Sequence, residues 1–222
     1  PISPGQVTAC QFRTAHDVEL LPLSIQNAWI EGQATDVRIP VVSKKVASSL
    51  HLQFASVGDR PINRLEIDQL PIYIAGSLER AFLLLELICG RRVGAAIQWK
   101  EAGKDQLTWL TSDQIEGMGF DSNEALIPYG AQSFSGYRIL QEYFACPDRY
   151  RFFKIKGLKS LLSKIPGTEF KIVLHFDRPS TELEKVIDEH SFHLFCTPVI
   201  NLFPKRGDRI DISMAHFEHH LL

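Results

Sequence analysis

Histidines are the residues of this sequence whose types and spacing come closest to a metal site. The run AHFEHHLL places His216 and His220 four residues apart, with His219 beside them. On a helix, residues four apart share one face, and two imidazoles so placed can bind a zinc ion. A HExxH order is absent, and no cysteine or acidic ligand is fixed near the pair. We therefore predict no metal site and no cofactor, and interpret these histidines as a solvated chain segment.

A second polar group, Glu189 with His190 and His193, has the residue types of a general acid and base. Proton transfer needs a positioned nucleophile or a second anchored partner, and the sequence supplies neither. The chain also lacks a GxSxG elbow, a P-loop and a GxGxxG turn. We predict that the protein is not an enzyme. The alternative is a cytoplasmic hydrolase that uses this group or a metal at His216 to His220.

A carbohydrate-binding or peptide-binding module is a third hypothesis. It requires a deep pocket lined by aromatic side chains, for which the sequence offers Trp99, Trp109 and Tyr129.

The stretch Ser133 to Leu158, SFSGYRILQEYFACPDRYRFFKIKGL, has the densest group of large side chains in the chain. Apolar residues at helical spacing after Ser135, a good N-cap, predict a short amphipathic helix. Pro147 cannot continue that helix, and the alternation that follows predicts a strand up to Gly157. The stretch is therefore predicted to form a helix, a stop and a strand.

Large aromatic residues serve a core or an interface equally well, so both roles stay open for this helix. The candidates are Tyr137, Arg138, Glu142, Tyr143 and Phe144. In the architectural interpretation, Leu140 and the three aromatic residues lock the helix to the strand that carries Phe153 and Ile155. Burial and pairing of Arg138 and Glu142 would indicate a fold keystone, and their exposure beside aromatic surface would indicate an interface.

A second interface candidate is the loop that follows an apolar run near the end of the sequence. Arginines beside exposed apolar residues are typical of interface anchors, although a solvated turn also explains them. The candidate residues are Asn201, Phe203, Arg206 and Arg209.

The rest of the sequence predicts an α+β fold of mostly antiparallel strands with a few packed helices. Ser77 is predicted to cap a helix over Leu78 to Cys89, and Thr181 with Glu184 forms a capping-box pattern for a helix to about His190. Alternating apolar residues after Ser48 and from Phe170 to Phe176 predict strands. Composition shifts divide the chain into an extended or hairpin arm at 1–46 and two α+β modules at 47–125 and 126–222.

Composition limits the function classes further. The formal net charge of the 222 residues is −2, with no strongly basic face to suggest nucleic acid. No stretch approaches the ~20 consecutive apolar residues of a membrane-spanning helix. The four cysteines are far apart among apolar neighbours, which favours reduced thiols and a cytoplasmic location.

Two long motifs resemble those of one protein family. The run LIPYGAQSFSGYRILQEYFACPDRYRFFKIKGL, Leu126 to Leu158, is similar to the central motif of the TssF (VasA, ImpG) family of type VI secretion baseplate subunits. The run FCTPVINLFPKRGDRI, Phe195 to Ile210, is similar to a second motif of that family. Both occur in the family's order and spacing, and similarity extends to Leu65 to Gly90, Gly119 to Gly130 and Glu169 to Pro179.

The resemblance implies a structural role rather than catalysis. Family members build the wedge of a contractile injection machine in Gram-negative bacteria, where they scaffold the sheath and tube. The implied partners are TssG, a second TssF copy, TssK, TssE and the VgrG hub, with no nucleic acid and no membrane insertion. The implied location is a cytoplasmic baseplate docked to the inner-membrane complex. Because members are much longer than this chain, the resemblance also implies a central fragment.

Overall fold

A computed structural model describes residues 11–32, 45–130 and 132–202, and in them two antiparallel sheets enclose one continuous hydrophobic core. All strand pairs are antiparallel. With the few short helices, this confirms the predicted α+β class. The strands are β1 Arg13–Thr14, β2 Leu23–Gly32, β3 Ser48–Ser56, β4 Leu70–Ile74, β5 Arg92–Glu101, β6 Lys104–Leu110, β7 Ile115–Gly117, β8 Phe152–Ile155, β9 Glu169–Phe176, β10 Phe192–Leu194 and β11 Val199–Ile200.

The larger sheet has the order β2-β3-β9-β5-β6, and the smaller has the order β10-β4-β8-β7. Strands β1 and β11 form a separate two-stranded ladder. Strand β9 lies between β3 and β5, and β8 lies between β4 and β7. Strands from the segments 47–125 and 126–222 therefore complete each other's hydrogen bonds in both sheets. The segment 1–46 contributes β2, which pairs along β3.

The core lies where alternating residues of both sheets point inward, as their period-two pattern predicts. Leu50, Leu52 and Phe54 of β3 are fully buried, and Ile172 and Leu174 of β9 are buried beside them. Strand β2 is an edge strand that begins directly after Pro22, and its register shifts between Ile25 and Asn27. A proline cannot donate to a strand ladder, so Pro22 suits an edge position or a bulge.

In the described residues, four α-helices accompany the sheets: α1 Leu78–Leu85, α2 Ser135–Ala145, α3 Lys159–Leu162 and α4 Thr181–Glu184. The side chain of Ser77 accepts from the backbone N–H of Arg80, so the predicted cap of α1 is confirmed. A π-helical turn, Glu86–Gly90, extends α1, and Arg92 donates to the carbonyl of Ile88 at its end. Ala81 and Leu84 of α1 are fully buried in the core.

Two predicted helix caps and one helix length are wrong. Helix α4 has four residues, its N-cap is Ser180 and no side chain caps it, so the capping box of Thr181 and Glu184 does not form. The capping box in this region is made by Asp188 and Ser191 around the short 3-10 helix Glu189–Ser191. For α2 the N-cap is Phe134, and Ser135 is the first helical residue. Short polar residues compete as caps over one or two positions, and the tertiary path of the chain decides among them.

Two buried histidines lie on the face of the larger sheet opposite the core. His51 stacks on Trp29 with ring centroids 4.7 Å apart, and Nδ1 of His175 lies 2.8 Å from the hydroxyl of Ser49. Burial lowers the pKa of both histidines to about 4. For His51, nearby Lys171 adds to the effect, while the exposed carboxylate of Glu31 lies 3.3 Å from Nε2. Both rings are therefore neutral at pH 7.

Acid is expected to destabilise the fold through these histidines. In the unfolded chain their pKa returns to about 6.5. Between about pH 6.5 and pH 4 the unfolded chain therefore binds protons at these histidines and the native state does not. The contribution of these histidines to the free energy of unfolding should therefore have its full value above pH 6.5. It should decrease as the pH falls toward 4. Urea unfolding at several pH values measures this. His175→Gln should flatten the slope and the exposed control His190→Gln should not, whereas equal slopes in all three proteins would contradict the assignment.

Candidate interaction site

The charged side chains of helix α2 point into the protein interior, and its aromatic side chains point to solvent. Arg138 is 3% exposed and Glu142 is 1% exposed, and both lie on the inward face one turn apart. They are the only charged residues of the helix. A surface helix ordinarily has the opposite arrangement, with an apolar stripe inward and charges outward.

The inward side chains form a buried ionic cluster of Arg138, Glu142 and Arg149. One carboxylate oxygen of Glu142 pairs with both guanidinium groups, at 3.2 Å from Arg138. The other oxygen accepts from the backbone N–H groups of Leu126 and Ile127, at 2.8 and 3.1 Å. A buried carboxylate with four donors is compensated both in charge and in hydrogen bonding.

The two arginines extend this cluster into the loop that precedes α2. Arg138 donates to the carbonyl of Phe120 at 2.9 Å, and its guanidinium lies over the ring of Tyr129. Arg149, from the turn after the helix, donates to the carbonyl of Glu124. The ionic cluster therefore ties α2 to the irregular segment before it and to the turn after it.

The side chain of Glu124 joins the loop to the smaller sheet. Its carboxylate accepts from the N–H of Gly119 and pairs with Lys154 of β8, which also pairs with Glu116. Burial alone would raise the pKa of Glu124, but these donors outweigh it and lower the pKa. Burial would likewise lower the pKa of Lys154, and its two carboxylate partners raise it instead. The ion pairs are therefore in their charged forms at neutral pH.

A glycine lets the loop approach the cluster this closely. Gly119 has φ +107°, and a Cβ there would lie 2.9 Å from the ring of Tyr150. A side chain at this position would meet both a strained backbone conformation and the aromatic ring.

The outward surface of α2, which we call the aromatic face, consists of five large side chains in sequence order. They are Phe134, Tyr137, Leu140, Tyr143 and Phe144, and their exposed fractions are 69, 69, 57, 38 and 81%. The rings of Phe134 and Tyr137 meet edge to face, as do those of Tyr143 and Phe144. The ring of Phe134 lies over Gly136, where a Cβ would collide with it.

The expectation that these side chains lock α2 to β8 is wrong for Tyr137, Leu140 and Phe144, which point to solvent. Tyr143 alone is partly packed, with its ring 6.1 Å from those of Phe82 and Tyr150. Strand β8 does bury Phe153 and Ile155, but it packs them into the core of the sheets. Arg138 and Glu142 are buried and paired, which is the arrangement expected of a fold keystone. The aromatic residues around them are exposed, which is the arrangement expected of an interface.

The second set of interface candidates is described only in part. Asn201 is exposed, and its side-chain oxygen accepts from the backbone N–H of Gln11 at 3.1 Å. Phe203, Arg206 and Arg209 lie outside the described residues, as do His216, His219 and His220. The segment between Ser191 and Asn201 contains the strands β10 and β11.

The groups considered for catalysis do not assemble among the described residues. His190 is 82% exposed in its side chain and lies 3.8 Å from Glu189, and the hydroxyl of the neighbouring Ser191 donates to Asp188 instead. In the part of the chain that the structure describes, no three His, Cys, Asp or Glu residues are placed to hold a metal ion. None of the helices described is long and apolar enough to cross a membrane.

The aromatic residues of the binding-module hypothesis are not brought together. Trp99 lines a shallow groove with Trp29, Trp109 lies beside His175, and Tyr129 lies under Arg138. A shared pocket for these side chains is therefore absent from the described residues.

Arg149, Glu124 and Lys154 are the important residues that the sequence did not single out. The sequence gives no signal that points to Glu124 or Lys154. The two charges that share one face of α2 are also compatible with a surface pair, so they do not by themselves predict Arg149 as a buried partner.

Comparison with known proteins identifies the family. The model of the family "Type VI secretion system, TssF" matches residues 1–222. The chain belongs to the TssF family. It is 34% identical over 223 residues to the type VI secretion system component TssF1 of Pseudomonas aeruginosa. That alignment covers 100% of this chain and 36% of TssF1, so the chain spans about a third of the length of this curated relative.

A solved structure has the same fold as this TssF-family chain. The chain superposes with a TM-score of 0.69 on part of the TssK-TssF-TssG baseplate subcomplex determined by cryo-electron microscopy. The match covers 93% of this chain and 36% of the solved chain, at 21% sequence identity. At that identity the likeness concerns the fold alone.

Proposed function

We propose that this chain is a structural, non-enzymatic part of a type VI secretion baseplate and that the aromatic face of α2 is one of its protein-binding surfaces. The proposal rests on the arrangement of α2, whose charged side chains point inward and whose aromatic side chains point to solvent. Its outward side holds four aromatic rings and a leucine, without a charged residue among them. Contiguous aromatic surface of this kind is typical of interface centres, where charged residues are depleted.

The buried ionic cluster suits a scaffold because it holds α2 in one orientation without using its apolar side chains. Glu142 receives donors from the loop before the helix and from the turn after it. The aromatic side chains of α2 are therefore free to bury apolar area against a partner. An interface presented on a rigid helix loses little conformational entropy on binding.

TssG and TssK are the partners that the relatives support best, since a subcomplex of TssK, TssF and TssG contains the matching fold. A second TssF copy, TssE and the VgrG hub complete the proposed set of partners. The proposed location is a cytoplasmic baseplate docked to the inner-membrane complex. A hydrolase is not favoured, because His190 is exposed and the hydroxyl of the neighbouring Ser191 donates to Asp188 rather than to a histidine.

Co-expression tests this proposal. The protein should co-purify with TssG and TssK of the same genome in a stable complex on size-exclusion chromatography. An interface of standard size would bury ~1,600 Å² and survive purification. A folded protein, judged by its circular dichroism and cooperative melting, that elutes without either partner would overturn the proposal.

A further inference from the structure

The solvent side of α2 has the side-chain spacing that receives a residue from a facing helix. When two helices pack, residues at i, i+3, i+4 and i+7 of one enclose the hole that a side chain of the other enters. In α2 these positions are Tyr137, Leu140, Gln141 and Phe144. Three of them belong to the aromatic face, and Gln141 is exposed as well. We call these four residues the α2 socket.

The inward side of α2 holds the socket in a fixed orientation. The carbonyl of Ile139, in the middle of the helix, accepts a hydrogen bond from the hydroxyl of Tyr150 at 3.0 Å. The ionic cluster holds the same side of the helix through Arg138 and Glu142. A partner therefore meets a helix that is already positioned, and binding does not have to order it.

The chemistry of the socket favours a helix over an extended segment. Its only polar groups are the hydroxyl of Tyr137 and the amide of Gln141. An extended segment pressed onto this surface would bury backbone N–H and C=O groups without partners, which costs free energy. Strand addition would supply those partners only at a sheet edge, and the backbone groups of a helix already bond within it. A partner helix satisfies its own backbone and can bury its apolar side chains here.

We propose that an amphipathic helix of the partner chain packs along α2 and inserts an apolar side chain into the α2 socket. The inference rests on the proposed function, because it names what binds the aromatic face. The centre of the docking helix carries no charged residue, since the charges of α2 point inward and leave no counter-ion in the socket. Phe134 and Tyr143, whose rings meet those of Tyr137 and Phe144, widen the contact at its two ends. The two helix axes lie about 8–10 Å apart in such packing.

Photo-cross-linking in the complex with TssG and TssK tests the conformation of the bound segment. The photoreactive residue p-benzoylphenylalanine replaces Tyr137 in one protein and Phe144 in another, and mass spectrometry identifies the residue that each captures. The two positions lie about 10 Å apart along α2. A helix covers that distance in about seven residues and an extended segment in about three. We expect the two captured residues to lie about seven apart in one segment of TssG or TssK.

The outcomes of the cross-linking separate this inference from the proposed function. Captured residues about three apart would overturn the helix and leave the proposed function standing. Capture of another copy of this chain alone would overturn it likewise. The same photoreactive residue at the exposed position His190 is the control, from which we expect no such pair. An intact complex in which neither position of α2 captures a partner would overturn both this inference and the role of the aromatic face.

Two substitutions of Gln141 test what enters the socket. Gln141→Glu keeps the size of the side chain and adds a charge, whereas Gln141→Leu removes its polarity. The position is exposed, so both proteins should stay folded. In a titration with TssG and TssK we expect Gln141→Glu to bind at least ~10-fold more weakly than Gln141→Leu, because the carboxylate would lose water without gaining a counter-ion. Equal affinities of the two variants would overturn the insertion of an apolar side chain into the socket.

Discussion

Replacing Glu142 with alanine is expected to lower the free energy of unfolding by about 3–5 kcal/mol, the cost of leaving buried charge without its partner. The carboxylate compensates Arg138 and Arg149, which are 3% and 2% exposed, and it holds two backbone N–H groups of the loop. For a chain of this size the loss corresponds to a melting temperature lower by roughly 6–20 °C. Thermal and urea unfolding of Glu142→Ala and wild type measure it.

Glu66→Ala is the matched control for Glu142→Ala. Glu66 also pairs with a cation, Lys159 at 3.3 Å, but both side chains are largely exposed. Its removal should change the free energy of unfolding by less than about 1 kcal/mol. Equal effects of the two substitutions would contradict the keystone role of the ionic cluster.

A triple substitution separates charge from packing at the same place. Arg138→Met, Glu142→Leu and Arg149→Met together replace the ionic cluster with apolar side chains of similar size, which buried triads often tolerate. We expect the triple variant to be more stable than Glu142→Ala, even though it changes three residues. If it is less stable, hydrogen bonds from the arginines to the loop carbonyls dominate over charge compensation.

Removing the aromatic face is expected to abolish partner binding while leaving the fold intact. In the variant Tyr137→Ala, Leu140→Ala and Phe144→Ala, three exposed side chains are truncated, so its stability should stay within ~0.5–1 kcal/mol of wild type. Its affinity for TssG and TssK should fall at least ~100-fold, because aromatic residues at interface centres contribute about 2 kcal/mol or more each. Co-purification and a binding titration measure this.

The elements that the sequence predicted well are those in which local pattern and tertiary environment agree. The alternation of β9 and the capped start of α1 both follow from neighbouring residues, and both are found. Strand order is different, because β9 enters between β3 and β5, whose paired residues lie far from it in the sequence. Nothing in the local pattern of a strand specifies such a neighbour.

Helix α2 shows why the role of the site could not be read from its pattern. Its apolar residues recur at helical spacing, and the same spacing would result from a face packed on the core or on another protein. An Arg and a Glu four residues apart usually form a surface pair. Only the positions of Arg149 and the loop N–H groups reveal that Arg138 and Glu142 point inward and the rings point outward.

The central claim, that the aromatic face binds a partner, is tested most directly by one titration of TssG and TssK against three proteins. They are wild type, the α2 triple-alanine variant, and a control with Phe12→Ala, Leu20→Ala and Val57→Ala, which removes other exposed apolar side chains. We predict that wild type and the control bind with similar affinity and that the α2 variant, equally folded, does not bind. Wild-type affinity of the α2 variant would contradict the account.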